Sequence, residues 1–284
     1  MFRSTVAGCA SLAIVPVVCA QFAITPGGAA AGNGLFNNGT PPPSLTETGM
    51  GNAGLHATDG AAPDNMFQSA WWFRGPGDGR EFTLPSNGSV PGGPTSSCVL
   101  VGDDTGTLDV GGYDCEVTNT TASYSFSTAL RWQIFEGAAG PLVTYSAAIT
   151  NTSDGAGLAL SLFKYDDIDP GNSFSHPWSW TGSSYHAVHD GFEIAFSAAG
   201  AARRQAADFP ALRNLLIDSS LTELTNDDGD GMGDFTAAFQ WDLLLPFGAD
   251  TTVGGTIAFV PEPASLALLM AGAGQLMLPR RRRL

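Results

Sequence analysis

A chain of 284 residues with 43% hydrophobic content can bury a full core, while 36 glycines, 18 prolines and a single lysine, Lys164, point to many turns and a Ser, Thr, Asn, Gly and Asp surface. The net charge of −15 understates the acidity of the middle: without Arg3, Arg280, Arg281, Arg282, Arg283 and Glu262, seven basic residues face 26 acidic ones, a net of −19. Such a surface repels phosphate backbones and anionic lipid headgroups, which excludes nucleic acid as a partner and favours cations, with calcium first among them outside the cytoplasm.

The chain opens with Met1-Phe2-Arg3, an apolar run from Val6 to Val18, and Val18-Cys19-Ala20. A charged start, an apolar stretch and a small residue describe a cleavable signal helix over residues 1–20, cut after Ala20. Residues 21–65 form a Gly-, Pro- and Asn-rich arm with Pro41-Pro42-Pro43 and few large apolar residues, a composition that supports no core of its own. The body covers residues 66–259. Within it, Cys98 and Cys115 are the only cysteines left after signal removal, and two cysteines in an exported domain pair as a structural disulfide.

Alternation with period two then dominates. Leu130, Trp132 and Ile134 form one series; Val143, Tyr145, Ala147 and Ile149 the next. Leu158, Leu160 and Leu162 follow, then Phe192, Ile194 and Phe196, then Phe239, Trp241, Leu243 and Leu245. Each run is bounded by Gly, Asn, Asp or Pro. These are antiparallel strands with one buried face, and several in succession predict an all-β, two-sheet antiparallel sandwich. One helix interrupts them, over Ala206 to Ile217, with Asp208 as N-cap, Pro210 in its first turn, and Leu212, Leu215 and Leu216 on one face.

Four groups carry candidate chemistry. In Asn226-Asp227-Asp228-Gly229-Asp230-Gly231-Met232-Gly233-Asp234, residues Asn226, Asp228 and Asp230 take the first, third and fifth places of a calcium loop and Asp234 the ninth. Ala237 stands where the bidentate carboxylate belongs, so the alternative is a solvated turn before a strand. Asp166, Asp167 and Asp169 read as solvated turn residues, with cation binding as the second reading. Trp178-Ser179-Trp180 places both indoles on one strand face, where they are either core or a sugar-stacking platform. His186, His189 and Asp190 suggest zinc, but residues three apart on a strand point to opposite faces. No G-x-S-x-G, H-E-x-x-H or phosphate loop occurs.

The chain ends with Pro261-Glu262-Pro263, an apolar stretch from Ala264 to Leu278, and Arg280, Arg281, Arg282 and Arg283. This end resembles the PEP-CTERM tail, in which a Pro-Glu-Pro motif precedes a hydrophobic helix and an arginine cluster. The resemblance implies that residues 260–284 halt export in the inner membrane with the arginines cytoplasmic, until an exosortase cuts near Pro261-Glu262-Pro263. The apolar segment is shorter than the roughly 20 residues of an ordinary span. Phe67 to Arg74, Leu162 to Asp169 and Ala238 to Asp242 also resemble a body recurrent in proteins with that tail, for which no activity is implied.

The expected function is therefore an exported, non-enzymatic protein of the cell surface or extracellular matrix, transiently anchored in the inner membrane, with exosortase and extracellular polysaccharide as partners and Ca2+ as the one candidate cofactor. Two alternatives stand beside it: a carbohydrate-binding module using exposed Trp, and a secreted polysaccharide hydrolase whose acids leave no sequence pattern.

Overall fold

The computed structural model describes residues 66–84, 93–101, 110–137, 140–227 and 230–260. The signal helix, the arm, the Pro-Glu-Pro motif, the terminal arginines and Asp228 lie outside the described residues.

Two antiparallel sheets face each other. In chain order the strands are β1 Met66–Arg74, β2 Phe82–Leu84, β3 Thr95–Val101, β4 Val110–Asn119, β5 Tyr124–Gly137, β6 Gly140–Asn151 and β7 Leu158–Ile168. A 3-10 turn at Pro170–Asn172 leads to β8 His176–Thr181, β9 Ser184–His189, β10 Phe192–Ala199 and β11 Arg203–Asp208. The short helix α1 Ala211–Ile217 follows, and β12 Gly231–Gly233, β13 Phe235–Leu245 and β14 Asp250–Val260 complete the body. The five-stranded sheet has the order β11-β13-β7-β1-β2, and the nine-stranded sheet the order β12-β8-β9-β10-β14-β6-β5-β4-β3. The expected all-β, two-sheet antiparallel architecture with one helix is what the described residues form.

The alternating residues meet between the sheets. Leu158, Leu160 and Leu162 of β7, Phe239 and Trp241 of β13, Leu130 and Trp132 of β5 and Tyr145, Ala147 and Ile149 of β6 share one core. Phe196 and Phe239 pack edge to face with ring centroids 4.8 Å apart. The period-two rule splits the adjacent pair in β1: Trp71 enters the sandwich, while Trp72 joins Phe163, Tyr165, Leu212 and Leu216 in a second cluster involving α1. Cys98 and Cys115 are Cα partners across β3 and β4 and form the expected disulfide. With a sequence separation of 17 it stabilises the body by about 3 kcal/mol on the chain-entropy view.

The helix is shorter than its sequence pattern suggests. Residues 203–208 pair with β13, with Ala206 opposite Ala237, so the first three residues of the expected helix, Ala206 to Asp208, end an edge strand. Pro210 ends that strand and occupies the N-cap position, and no side chain caps α1. Asp208 instead accepts the Asp234 amide N–H at 2.6 Å. Leu212 and Leu216 are buried, whereas Leu215 is 40% exposed rather than part of the packed face. Sheet hydrogen bonds along six residues outweigh the modest helix propensity of a chain already broken by proline.

Candidate functional site

The carboxylates that the sequence distributes over two loops meet at one end of the five-stranded sheet. β7 continues through Asp166 and Asp167 before the chain leaves the sheet at Asp169, so these acids are strand residues and not the solvated turn expected for them. Asp166, Asp167 and Asp169 are all buried. β13 pairs with β7 with Thr236 opposite Asp167, which brings Asp234, the residue just before β13, alongside. Carboxylate oxygens of Asp167, Asp169 and Asp234 lie within 4.8 Å of one another.

This cluster sits where the chain passes twice between sheets: Asp169 begins the connection from β7 to β8, and Asp234 links β12 to β13. Asp167 is 1% exposed, and its Oδ1 accepts no hydrogen bond among the described residues. Burial pushes its carboxyl up to about 9, helped by Asp169, Asp234 and Asp166 and opposed by Arg213. Burial likewise raises Asp234. Crowded, water-poor carboxylates with little cationic compensation form a donor set for a hard cation, because oxygen ligands suit Ca2+ and Mg2+.

The other expected calcium ligands lead elsewhere. Asn226 has a left-handed backbone (φ 58°), and its Oδ1 accepts the Arg204 amide N–H at 3.1 Å. Asp230 is exposed. The Asp227 carbonyl accepts the Tyr185 hydroxyl at 2.8 Å, tying this loop to the nine-stranded sheet. Among the described residues, Asp234 lies with Asp167 and Asp169 rather than beside Asn226. The pairing of β7 with β13, which no local spacing announces, makes the difference.

The sugar platform is corrected. Trp178 and Trp180 do share a strand face, but it is the inner one. Trp178 is 7% exposed and packs on Phe235, with ring centroids 5.5 Å apart. A Cβ on Gly231 would lie 1.9 Å from the Trp178 indole, so the β12 backbone rests against that ring. Trp180 is half-buried, 4.8 Å from Tyr185, and carries the Arg204 guanidinium 3.9 Å above its ring. Burial claims the Trp178 indole, and the Arg204 guanidinium covers one face of Trp180, so the two rings do not form a shared open platform.

His186 does not combine with His189 and Asp190. Its Nδ1 lies 2.7 Å from Glu193 Oε1 and its Nε2 2.8 Å from Ser184 Oγ, while His189 pairs with Asp190 at 3.4 Å. A hollow of about 250 Å³ lies beside Asp78, Arg80, Asn119 and Thr121. The Asp78 carboxylate is committed there to the Gly75 N–H (2.7 Å), the Asn119 amide (2.8 Å) and the Tyr124 hydroxyl (2.5 Å), so it knots the structure together.

No family model matches the chain, and no curated protein matches it. Among solved structures, a bacterial glucoamylase complexed with acarbose is similar with a TM-score of 0.49 at 12% identity, over 89% of this chain and 37% of that one. The chain spans little more than a third of that enzyme's length, and a likeness of this grade carries no inference about activity.

Proposed function

We propose that this chain is an exported β-sandwich of the cell surface or extracellular matrix, completed by a calcium ion held through Asp167, Asp169 and Asp234. The observation that carries the cation reading is the buried Asp167 Oδ1, without a hydrogen bond, in a group of three carboxylates. A lone buried charge of this kind is costly unless a proton or a cation compensates it. Calcium suits the site because it accepts irregular oxygen sets and is available outside the cell.

Export is supported by the disulfide, which belongs to oxidising compartments, and by the signal-like start and the Pro-Glu-Pro end of the sequence. Among the described residues no helix is long and apolar enough to cross a membrane, so on this reading anchoring falls to the tail at residues 260–284. An exosortase is the processing partner, and extracellular polysaccharide is the expected partner at the cell surface. A carbohydrate-binding role through exposed Trp is withdrawn with the burial of Trp178.

Titration calorimetry of the purified chain with CaCl2 tests the cation. Binding is expected at extracellular-grade affinity, with a Kd of roughly 10⁻⁴–10⁻³ M. Asp234→Asn should remove it, while Asp230→Asn should leave it unchanged; the reverse pattern would restore the linear loop as the site. For sorting, deletion of Pro261 to Leu284 is expected to release folded protein into the medium, and retention in the membrane fraction would show that the anchor lies elsewhere.

A further inference from the structure

The outer face of the nine-stranded sheet carries a line of three side chains that the cation site does not use. Ser184 and His186 stand two apart on β9 and so share a face. The β9–β10 hairpin, in register with Ala195 opposite His186 and Val188 opposite Glu193, places Glu193 diagonally across from His186. Ser184 Oγ lies 2.8 Å from His186 Nε2, and His186 Nδ1 lies 2.7 Å from Glu193 Oε1. The tautomer that satisfies both contacts donates Nδ1–H to the carboxylate and accepts the serine hydroxyl at Nε2. Ser184 and His186 are partly exposed, and the neighbour of His186 on β10, Ala195, is small.

We propose that Ser184 is an activated nucleophile, with His186 as its general base and Glu193 as the residue that positions the imidazole, and that it accepts acyl groups from carboxylic esters. The order of contacts is that of a serine–histidine–acid relay, which is recognised by geometry and not by chain position. Ser184 Oγ attacks the ester carbon while its proton passes to His186 Nε2. The C–O bond to the alcohol then breaks, and His186 returns the proton to the departing oxygen. Water hydrolyses the acyl-serine by the same route, giving the carboxylic acid and restoring the hydroxyl.

The Cα partner of Ser184 across the hairpin is Ser197, whose hydroxyl lies 2.8 Å from that of Thr256. We assign these two hydroxyls as the side-chain donors for the developing oxyanion, since strand amides are engaged in the ladder. An open face with hydroxyl donors only supports acylation better than rapid turnover, so covalent capture is the sensitive readout. Such a relay needs no G-x-S-x-G turn, the motif whose absence stood behind the expectation of a non-enzymatic body.

The test is labelling of the full chain, with its disulfide intact, by a fluorophosphonate probe, followed by peptide mass mapping and p-nitrophenyl acetate hydrolysis. Label is expected on Ser184, absent in Ser184→Ala and lowered roughly a hundredfold in His186→Gln, the lower range for loss of a general base. Glu193→Gln should lower labelling less and shift its pH profile, which a purely structural role would not do. Melting curves matching the parent chain establish that each variant is folded; Ser184→Ala removes one hydroxyl from a partly exposed strand position and anchors the comparison. Label found on another residue, no label on Ser184, or label on Ser184 indifferent to His186→Gln would each overturn the proposal.

Discussion

Replacing Lys164 by alanine is expected to destabilise the body by about 3–5 kcal/mol, the range for removing one partner of a buried ion pair. Lys164 is fully buried, and its Nζ pairs with the equally buried Asp166. It also donates to Ser69 Oγ at 2.9 Å and to the Tyr165 carbonyl at 3.2 Å. Rings close around it: the ammonium lies 5.1 Å from the centroid of Tyr145 and 5.9 Å from those of Trp71 and Phe196. Burial lowers the Lys164 pKa and raises that of Asp166, and each partner opposes the shift of the other.

Lys164→Ala leaves Asp166 desolvated and without its cation inside the sandwich, together with a cavity among aromatic rings. At about 2–4 °C per kcal/mol for a domain of this size, the melting temperature should fall by roughly 10 °C. The double replacement Lys164→Met with Asp166→Leu should recover most of the loss, because a well-packed apolar pair avoids both desolvation penalties. Thermal melts followed by near-ultraviolet circular dichroism decide it. A single variant that melts within a degree of the parent would show that the pair contributes nothing.

Calcium is expected to produce the second large effect. At a free concentration a hundredfold above its Kd, a ligand specific to the folded state adds about 2.7 kcal/mol, which corresponds here to a melting rise of roughly 5–10 °C over the chelated protein. Asp234→Asn should abolish the rise. In chelator, the same variant should melt no lower than the parent, because it removes one of the charges crowding Asp167. Magnesium, which demands a tighter octahedral shell, should give a smaller shift. Equal melting with and without calcium would return the three acids to a proton-sharing cluster.

Much of the fold was legible because burial imposes period two on each strand independently. The runs at Leu158 to Leu162 and Phe239 to Leu245 are core strands for that local reason, and the same rule put Trp178 and Trp180 on one face. Parity does not say which face is inside. The packing of Trp178 against Phe235 and Gly231 answers that, and neither partner is its neighbour in sequence. The helix boundary failed for a related reason: Ala206 to Asp208 continue the helical spacing of the following residues, but β13 offers them a hydrogen-bonded edge.

The two sites divide the same way. Ser184 and His186 form a same-face pair visible in a Ser-x-His strand, yet Glu193 reaches them only through the β9–β10 register. Asp167 and Asp234 are 67 residues apart, and only the pairing of β7 with β13 unites them. By itself the sequence determined the strand periodicity, the disulfide partners and the acidity of the body, all properties carried by neighbouring residues or by composition. The tertiary structure alone decided which acids converge, which indoles are covered and which serine meets a histidine and a carboxylate, because register between distant strands is set by the joint packing of two sheets and not by any local stretch of chain.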